Sequence, residues 1–283
     1  MDISTVSSRI PSPQPEWVER FARFGLIAKG VVYCLVGAIA FMAAFEIGGN
    51  SGQDAGKQGV FRFLLEQPYG KVMLAIVALG MFCYTLWRFI QAFKDTEGKG
   101  SDAKGIGRRI GYAFSGVVYG VLAYYAAQLV LGNGGGSGNG DSRQTLAQEL
   151  LSQPMGQWLL GVVALGTMAL GIYQFYRAYS GRYLKKVQAS AIRPELQQSL
   201  IRAGKVGYVA RGVVWLIIGY LFLKAALEAD SQEAGGTNKA FQFLEQGTYG
   251  SFLLGAVALG LICYGVFMFV RAKYETINTS RYS

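Results

Sequence analysis

Apolar residues along this chain gather into six long runs instead of alternating with polar ones. The runs are Gly25–Phe45, Val72–Phe93, Ile110–Leu131, Trp158–Tyr179, Val206–Leu227 and Ser251–Val270. Each approaches the roughly 20 apolar residues that a helix needs to cross a hydrocarbon core about 30 Å thick. None is long enough for two helices, and none keeps the period-two alternation of an outer-membrane strand. Glycines inside the runs do not argue against helix, because lipid offers the backbone no competing hydrogen bonds. The pattern predicts an all-α polytopic membrane protein with six transmembrane helices. Before the first run, MDISTVSSRIPSPQPE (1–16) is polar, with neither the apolar core nor the cleavage site of a signal peptide, and reads as a flexible cytosolic tail.

Composition strengthens this picture. Of 283 residues, 52% are hydrophobic and 16% charged, against about 25% charged in a soluble domain; the mean hydropathy is +0.27. There is no histidine, which removes the commonest general base and transition-metal ligand. The three cysteines, Cys34, Cys83 and Cys263, lie within runs and lack metal-ligand spacing. A disulfide scaffold, a zinc enzyme and a Ser-His-Asp hydrolase are thereby excluded. With no paired carboxylates, nucleophile elbow or dinucleotide fingerprint, the expectation is a protein that is not an enzyme and holds no cofactor.

The net charge of +10 is a topology signal. Arg9, Arg20 and Arg23 precede the first run; Lys94, Lys99, Lys104, Arg108 and Arg109 follow the second; Arg177, Arg182, Lys185, Lys186, Arg193, Arg202 and Lys205 follow the fourth; Arg271, Lys273 and Arg281 follow the sixth. The remaining connections hold only Lys57, Arg62, Lys71, Arg143 and Lys239, among many acids. Basic residues favour the cytoplasmic side, so both termini are expected in the cytoplasm of a bacterial inner membrane. Nucleic acid is not an expected partner, since no soluble domain gathers these charges. Anionic phospholipids are, and a membrane-protein partner or a second copy also fits such a chain.

The chain repeats itself. FGLIAKGVVY (24–33), IGYAFSGVVY (110–119) and VGYVARGVVW (206–215) begin the odd runs, and VALG ending at Gly80, Gly166 and Gly260 marks the even ones. Gly25 and Gly111, like Gly80 and Gly166, lie 86 apart. Each unit holds two spans, so all three units insert in the same sense, around an axis along the membrane normal. The divisions are residues 1–20, a tail; 21–95, 96–180 and 181–275, the repeats; and 276–283, a second tail. Such parallel helical hairpins can close into a bundle with pseudo-threefold symmetry, and inverted-repeat alternating access is disfavoured.

The [AS]-[KRS]-G-V-V-[YW] element, the VALG element and the threefold two-span organisation resemble the bacterial inner-membrane family called domain of unknown function 1206, over essentially residues 21–275. The resemblance implies a multi-pass membrane protein and brings no activity with it. The second copy departs most, with Ser115 at the basic position and a Gly-rich insert, GNGGGSGNG (132–140), that reads as a flexible linker.

Lys29, Ser115 and Arg211 share one repeat position, about a turn inside an odd run. Two placements are open to them: snorkelling to the headgroups, or a cluster on the bundle axis that binds a small anion or a lipid headgroup. Glycines beside them favour close helix approach over lipid exposure. Glu46 and Glu228 coincide at the other end and are candidates for an outer rim, with Lys224 four residues before Glu228. Tyr33, Tyr119 and Trp215 share a position that reads as packing, and Arg88 is private to the first unit. Thr85, Gln128, Thr167 and Gln174 are the uncharged polar residues inside the runs. A short amphipathic stretch precedes each even run and is expected to lie on the outer interface or plug the bundle top.

These features leave three readings. A structural or interaction protein of the envelope, a scaffold or modulator, comes first, because polar groups near the midplane are few. A small-anion or small-solute conduit around the pseudo-threefold axis is second, and an anionic-lipid-binding protein third.

Overall fold

Each apolar run forms one helix in the computed structural model, which describes residues 16–47, 56–94, 102–132, 142–153, 155–184, 187 and 194–275. The helices are α1 (Glu16–Ala44), α2 (Lys57–Glu66), α3 (Gly70–Phe93), α4 (Ala103–Val130), α5 (Ser142–Leu151), α6 (Gly156–Tyr179), α7 (Pro194–Glu228), α8 (Thr237–Glu245) and α9 (Gly250–Tyr274). Six of them, α1, α3, α4, α6, α7 and α9, are long and apolar enough to cross a membrane. Most of the N-terminal tail, nearly all of the Gly-rich insert and residues 276–283 lie outside the described residues.

The odd helices overrun their apolar windows, because charged residues do not end a helix; caps do. At α4 the Asp102 side chain accepts from the Gly105 amide at 3.1 Å, satisfying one orphan donor of the first turn. The even helices begin where the windows do, after a tight turn found in every repeat. Tyr69 and Met155 adopt the left-handed conformation, φ 61° and 64°. At the next residue, Gly70 or Gly156, and at the matching Gly250, a Cβ would strike a carbonyl of the short helix before it. Only glycine tolerates that approach.

The spans pack in the order α4, α3, α1, α9, α7, α6. The most extensive interfaces join neighbouring repeats: α3 with α4, α6 with α7, and α9 with α1. One basic position clamps these seams. Arg23 of α1 donates to the Ala272 and Lys273 carbonyls at 2.6 and 2.9 Å, at the end of α9. Its repeat equivalent, Arg109 of α4, donates to the Ala92 and Phe93 carbonyls at 2.7 and 3.0 Å, at the end of α3. The third, Lys205 of α7, sits 4.7 Å over the Tyr179 ring, at the end of α6. Cations at helix C-termini meet unpaired carbonyls and the negative end of the macrodipole, so part of the basic excess at this end holds helices together.

Hairpin interfaces within repeats rest on glycine. Gly25 lies against the backbone of Tyr84, and Gly207 against that of Tyr264. Gly80 receives the Ala28 methyl and Gly260 the Ala210 methyl. The middle repeat keeps Gly111 and Gly166 but buries neither: both have open space where a Cβ would go. Among the described residues α4 and α6 form no substantial interface, and Phe114 stands where the other repeats have alanine. The ring is therefore open at one seam.

The short helices α2, α5 and α8 precede the even spans and cap the end of the ring opposite the termini. Val60, Phe61, Ala147, Ala240 and Phe241 are wholly buried, so these stretches plug the bundle instead of lying on its rim.

Candidate functional site

Lys29 and Arg211 turn inward. Lys29 is 5% exposed; its Nζ donates to the Tyr84 hydroxyl at 3.1 Å and lies 4.8, 4.9 and 5.9 Å from the ring centres of Tyr84, Tyr119 and Tyr264. Arg211 donates to the Tyr264 hydroxyl at 2.6 Å, and its guanidinium lies 4.5 Å from the Tyr264 ring and 5.3 Å from that of Tyr33. The two arrangements are one device used twice, for Lys29 and Arg211 are repeat equivalents and so are Tyr84 and Tyr264. The middle repeat has lost both halves together, with Ser115 and Leu170 in their places.

The aromatic residues follow the ring. Tyr119 meets Tyr84 edge-on at 4.7 Å across the α4–α3 seam, and Tyr33 meets Tyr264 edge-on at 4.7 Å across the α1–α9 seam. Two more cations join them. Arg88 donates to the Tyr84 hydroxyl at 2.8 Å through Nε and again through its terminal nitrogen, and to Gln91 at 2.8 Å. Lys57, from α2, places its Nζ 5.3 Å from the Tyr33 ring and 5.4 Å from that of Tyr119. Tyr33 lies about 16 Å below the end of α1, at about 1.5 Å per residue, so α2 carries Lys57 well inside the ring. A small cavity adjoins the cage, with Tyr33, Lys57, Arg211, Trp215 and Thr237 in its wall.

Electrostatically the cage is unusual in what is missing. Among the described residues no carboxylate ion-pairs with Lys29 or Arg211; Glu275, the buried acid of the bundle, is bound to Arg271 at 2.7 Å. Ring faces and phenol oxygens offset the cost of taking a cation out of water, at about 0.5–2 kcal/mol per cation–π contact and about 1.5–3 kcal/mol per charged hydrogen bond. They do so without cancelling the charge. Basic groups with no paired carboxylate among the described residues are what an anion site requires.

Tyrosines continue toward the termini. Tyr264 packs edge-on against Tyr208 at 5.4 Å, Tyr208 lies 5.4 Å from Tyr183, and Arg177 sits 4.6 Å over the Tyr208 ring. The Tyr208 and Tyr119 hydroxyls are buried without a hydrogen bond of normal geometry.

The sequence candidates separate accordingly. Lys29 and Arg211 meet in one cage, facing the core and not the lipid. Ser115 is half-buried, and no hydrogen bond or cation–π contact ties it to the cluster. Glu46 is exposed at the end of α1. Glu228 is engaged by Lys224 at 3.9 Å, whose nearer partner is Glu233 at 3.1 Å. Thr85 and Thr167 bond the carbonyls four residues back in their own helices, and the Gln174 carbonyl oxygen is buried unpaired. What sequence reasoning missed is Tyr84, Tyr264 and Lys57. The first two carried a signal, a tyrosine four residues after VALG in both repeats that keep the basic residue. Lys57 carried none, being one lysine of a loop until α2 folds inward.

A family model described as Domain of Unknown Function (DUF1206) matches residues 24–95, 110–181 and 206–275. The uncharacterized protein YxxB of Bacillus subtilis (strain 168) is 34% identical over 268 residues, covering 95% of each chain. No solved structure matches the chain.

Proposed function

The chain belongs to the DUF1206 family, a family of unknown function, and from the geometry of the cage we propose that it is a membrane protein that binds an anion at the pseudo-threefold axis. The observation that carries this reading is the repeat-related pair Lys29, buried, and Arg211, half-buried, set over tyrosines with Tyr264 in common, with no carboxylate ion-paired to either among the described residues. The bound anion supplies the missing counter-charge. In this reading the protein is a binding protein and not an enzyme, it sits in the bacterial inner membrane with both termini cytoplasmic, and its basic end rests on anionic phospholipids.

The test is calorimetric titration of the purified protein in neutral detergent with bromide, nitrate, phosphate and glycerol 3-phosphate, the last standing for a lipid headgroup. Lys29→Met and Arg211→Met each weaken binding by at least about tenfold, or about 1.4 kcal/mol. Saturable binding by none of the four, or binding indifferent to both substitutions, overturns the reading.

Passage of the anion is the second reading. The tyrosine column from Tyr33 through Tyr264 and Tyr208 to Tyr183, lined by Arg177, favours it because polar groups continue from the cage toward the other end. Anion flux into proteoliposomes above the empty-liposome rate, abolished in Lys29→Met/Arg211→Met, separates passage from simple binding. No feature of the fold favours the scaffold reading over these two.

A further inference from the structure

Resting on the reading of the cage as an anion site, we propose that its ligand is a small inorganic monoanion of the halide class, held by Arg211 and Lys57 between the N-termini of α2 and α8. The cavity measures about 30 Å³, room for one or two water-sized bodies. A single monatomic ion suits that space; tetrahedral phosphate and sulfate, with five heavy atoms, are bulkier, and a headgroup that brings its glycerol with it is bulkier still. The wall is mixed: Lys57, Arg211, Tyr33 and Thr237 supply polar groups, Trp215 an indole, and aliphatic side chains the remainder. Among the described residues it contains no carboxylate. A half-apolar wall suits a weakly hydrated monoanion over a doubly charged oxyanion, whose desolvation is far more costly.

The two short helices add a second, independent argument. The N-cap residues Gly56 and Gly236 offer no side chain to cap α2 and α8. Gly56 lies so close to the Asn238 side chain that a Cβ would overlap it, so the two N-termini abut. Thr237, the first residue of α8, and Lys57, the first of α2, both line the cavity. Each helix end carries about half a positive charge. An anion placed among the two helix ends and the two basic side chains is attracted by each of them. Lys57 is then the ligand supplied by the plug.

Trp215 provides the readout, since bromide bound beside an indole quenches its fluorescence. The full-length protein, purified in gluconate buffer, is titrated with sodium bromide and then challenged with chloride, sulfate or phosphate. Bromide quenches saturably, the saturable part disappears in Trp215→Phe, chloride reverses it, and sulfate and phosphate do not. Lys57→Met weakens the bromide affinity at least tenfold with an unchanged circular dichroism spectrum; Lys57→Arg retains it. Displacement of bromide by sulfate or phosphate at similar affinity overturns the size assignment and leaves the anion cage standing. Unchanged affinity in folded Lys57→Met overturns the role of the plug. Failure of every anion to bind by any readout takes down the cage reading itself.

Discussion

Lys29 shows how a residue can be costly to fold and kept for what it does. Taking its amine out of water costs several kcal/mol, and one phenol oxygen with three ring faces offsets this without supplying a negative charge. Arg88 shares the same Tyr84 hydroxyl, so like charges are crowded around one acceptor. An unpaired buried charge is a folding cost, and an apolar side chain of similar size removes it. Lys29→Met therefore melts no lower than wild type in anion-free buffer while losing anion affinity. Were Lys29 merely a structural strut, the variant would melt several degrees lower, and thermal denaturation in detergent distinguishes the two. Ser115 is the internal comparison: it holds the same repeat position outside the cage, and Ser115→Ala changes neither quantity.

Among the elements, the short helices and the basic clamps are the parts whose roles a hydropathy profile hides. α2 and α8 are too short to persist alone and owe their structure to the faces they bury. Truncating the fully buried Phe61 or Phe241 to alanine is expected to cost about 3–5 kcal/mol, read as a lowered melting temperature, and Phe61→Ala also weakens anion binding by freeing Lys57. Arg23 and Arg109 act at the opposite end. Each donates to two terminal carbonyls of the neighbouring repeat's helix, and loss of such bonds is worth about 1–2 kcal/mol. Arg23→Ala and Arg109→Ala are thus destabilising, whereas Arg108→Ala, whose side chain is exposed and off the clamp position, has little effect. These clamps were not legible in sequence, because a basic residue at a span end looks the same whether it meets lipid phosphate or a carbonyl.

For the whole molecule, the ring is built from three copies of one hairpin and closed at only five of six seams. About 61% of the hydrophobic window of α1 and of α9 is buried, against 28% for α4 and 22% for α6. The glycines report the same asymmetry. Gly80→Ala and Gly260→Ala drive a methyl into Ala28 and Ala210 and are expected to destabilise by about 1–3 kcal/mol. Gly166→Ala, at the equivalent position, meets nothing and is neutral or slightly stabilising. Equal effects at the three sites, compared by thermal melts, would mean that α4 and α6 close on each other in the membrane.

Much of this was fixed before any tertiary contact. Six spans, their single-sense repeats, the family and the pairing of Lys29 with Arg211 follow from local signals, namely apolar run length, glycine spacing and motif recurrence, which the chain carries wherever it folds. Which way the two basic residues point did not follow, because snorkelling and burial share one sequence pattern and differ only in what packs alongside. Tyr84, Tyr264 and Lys57 enter the cage from other helices, and the seam between α4 and α6 is open although its glycines match those of the closed ones. Repeats set which contacts are available; the substitution of Phe114 and Leu170 for the small residue and the tyrosine of the other copies altered the packing there, and only the assembled ring shows where the contacts are made.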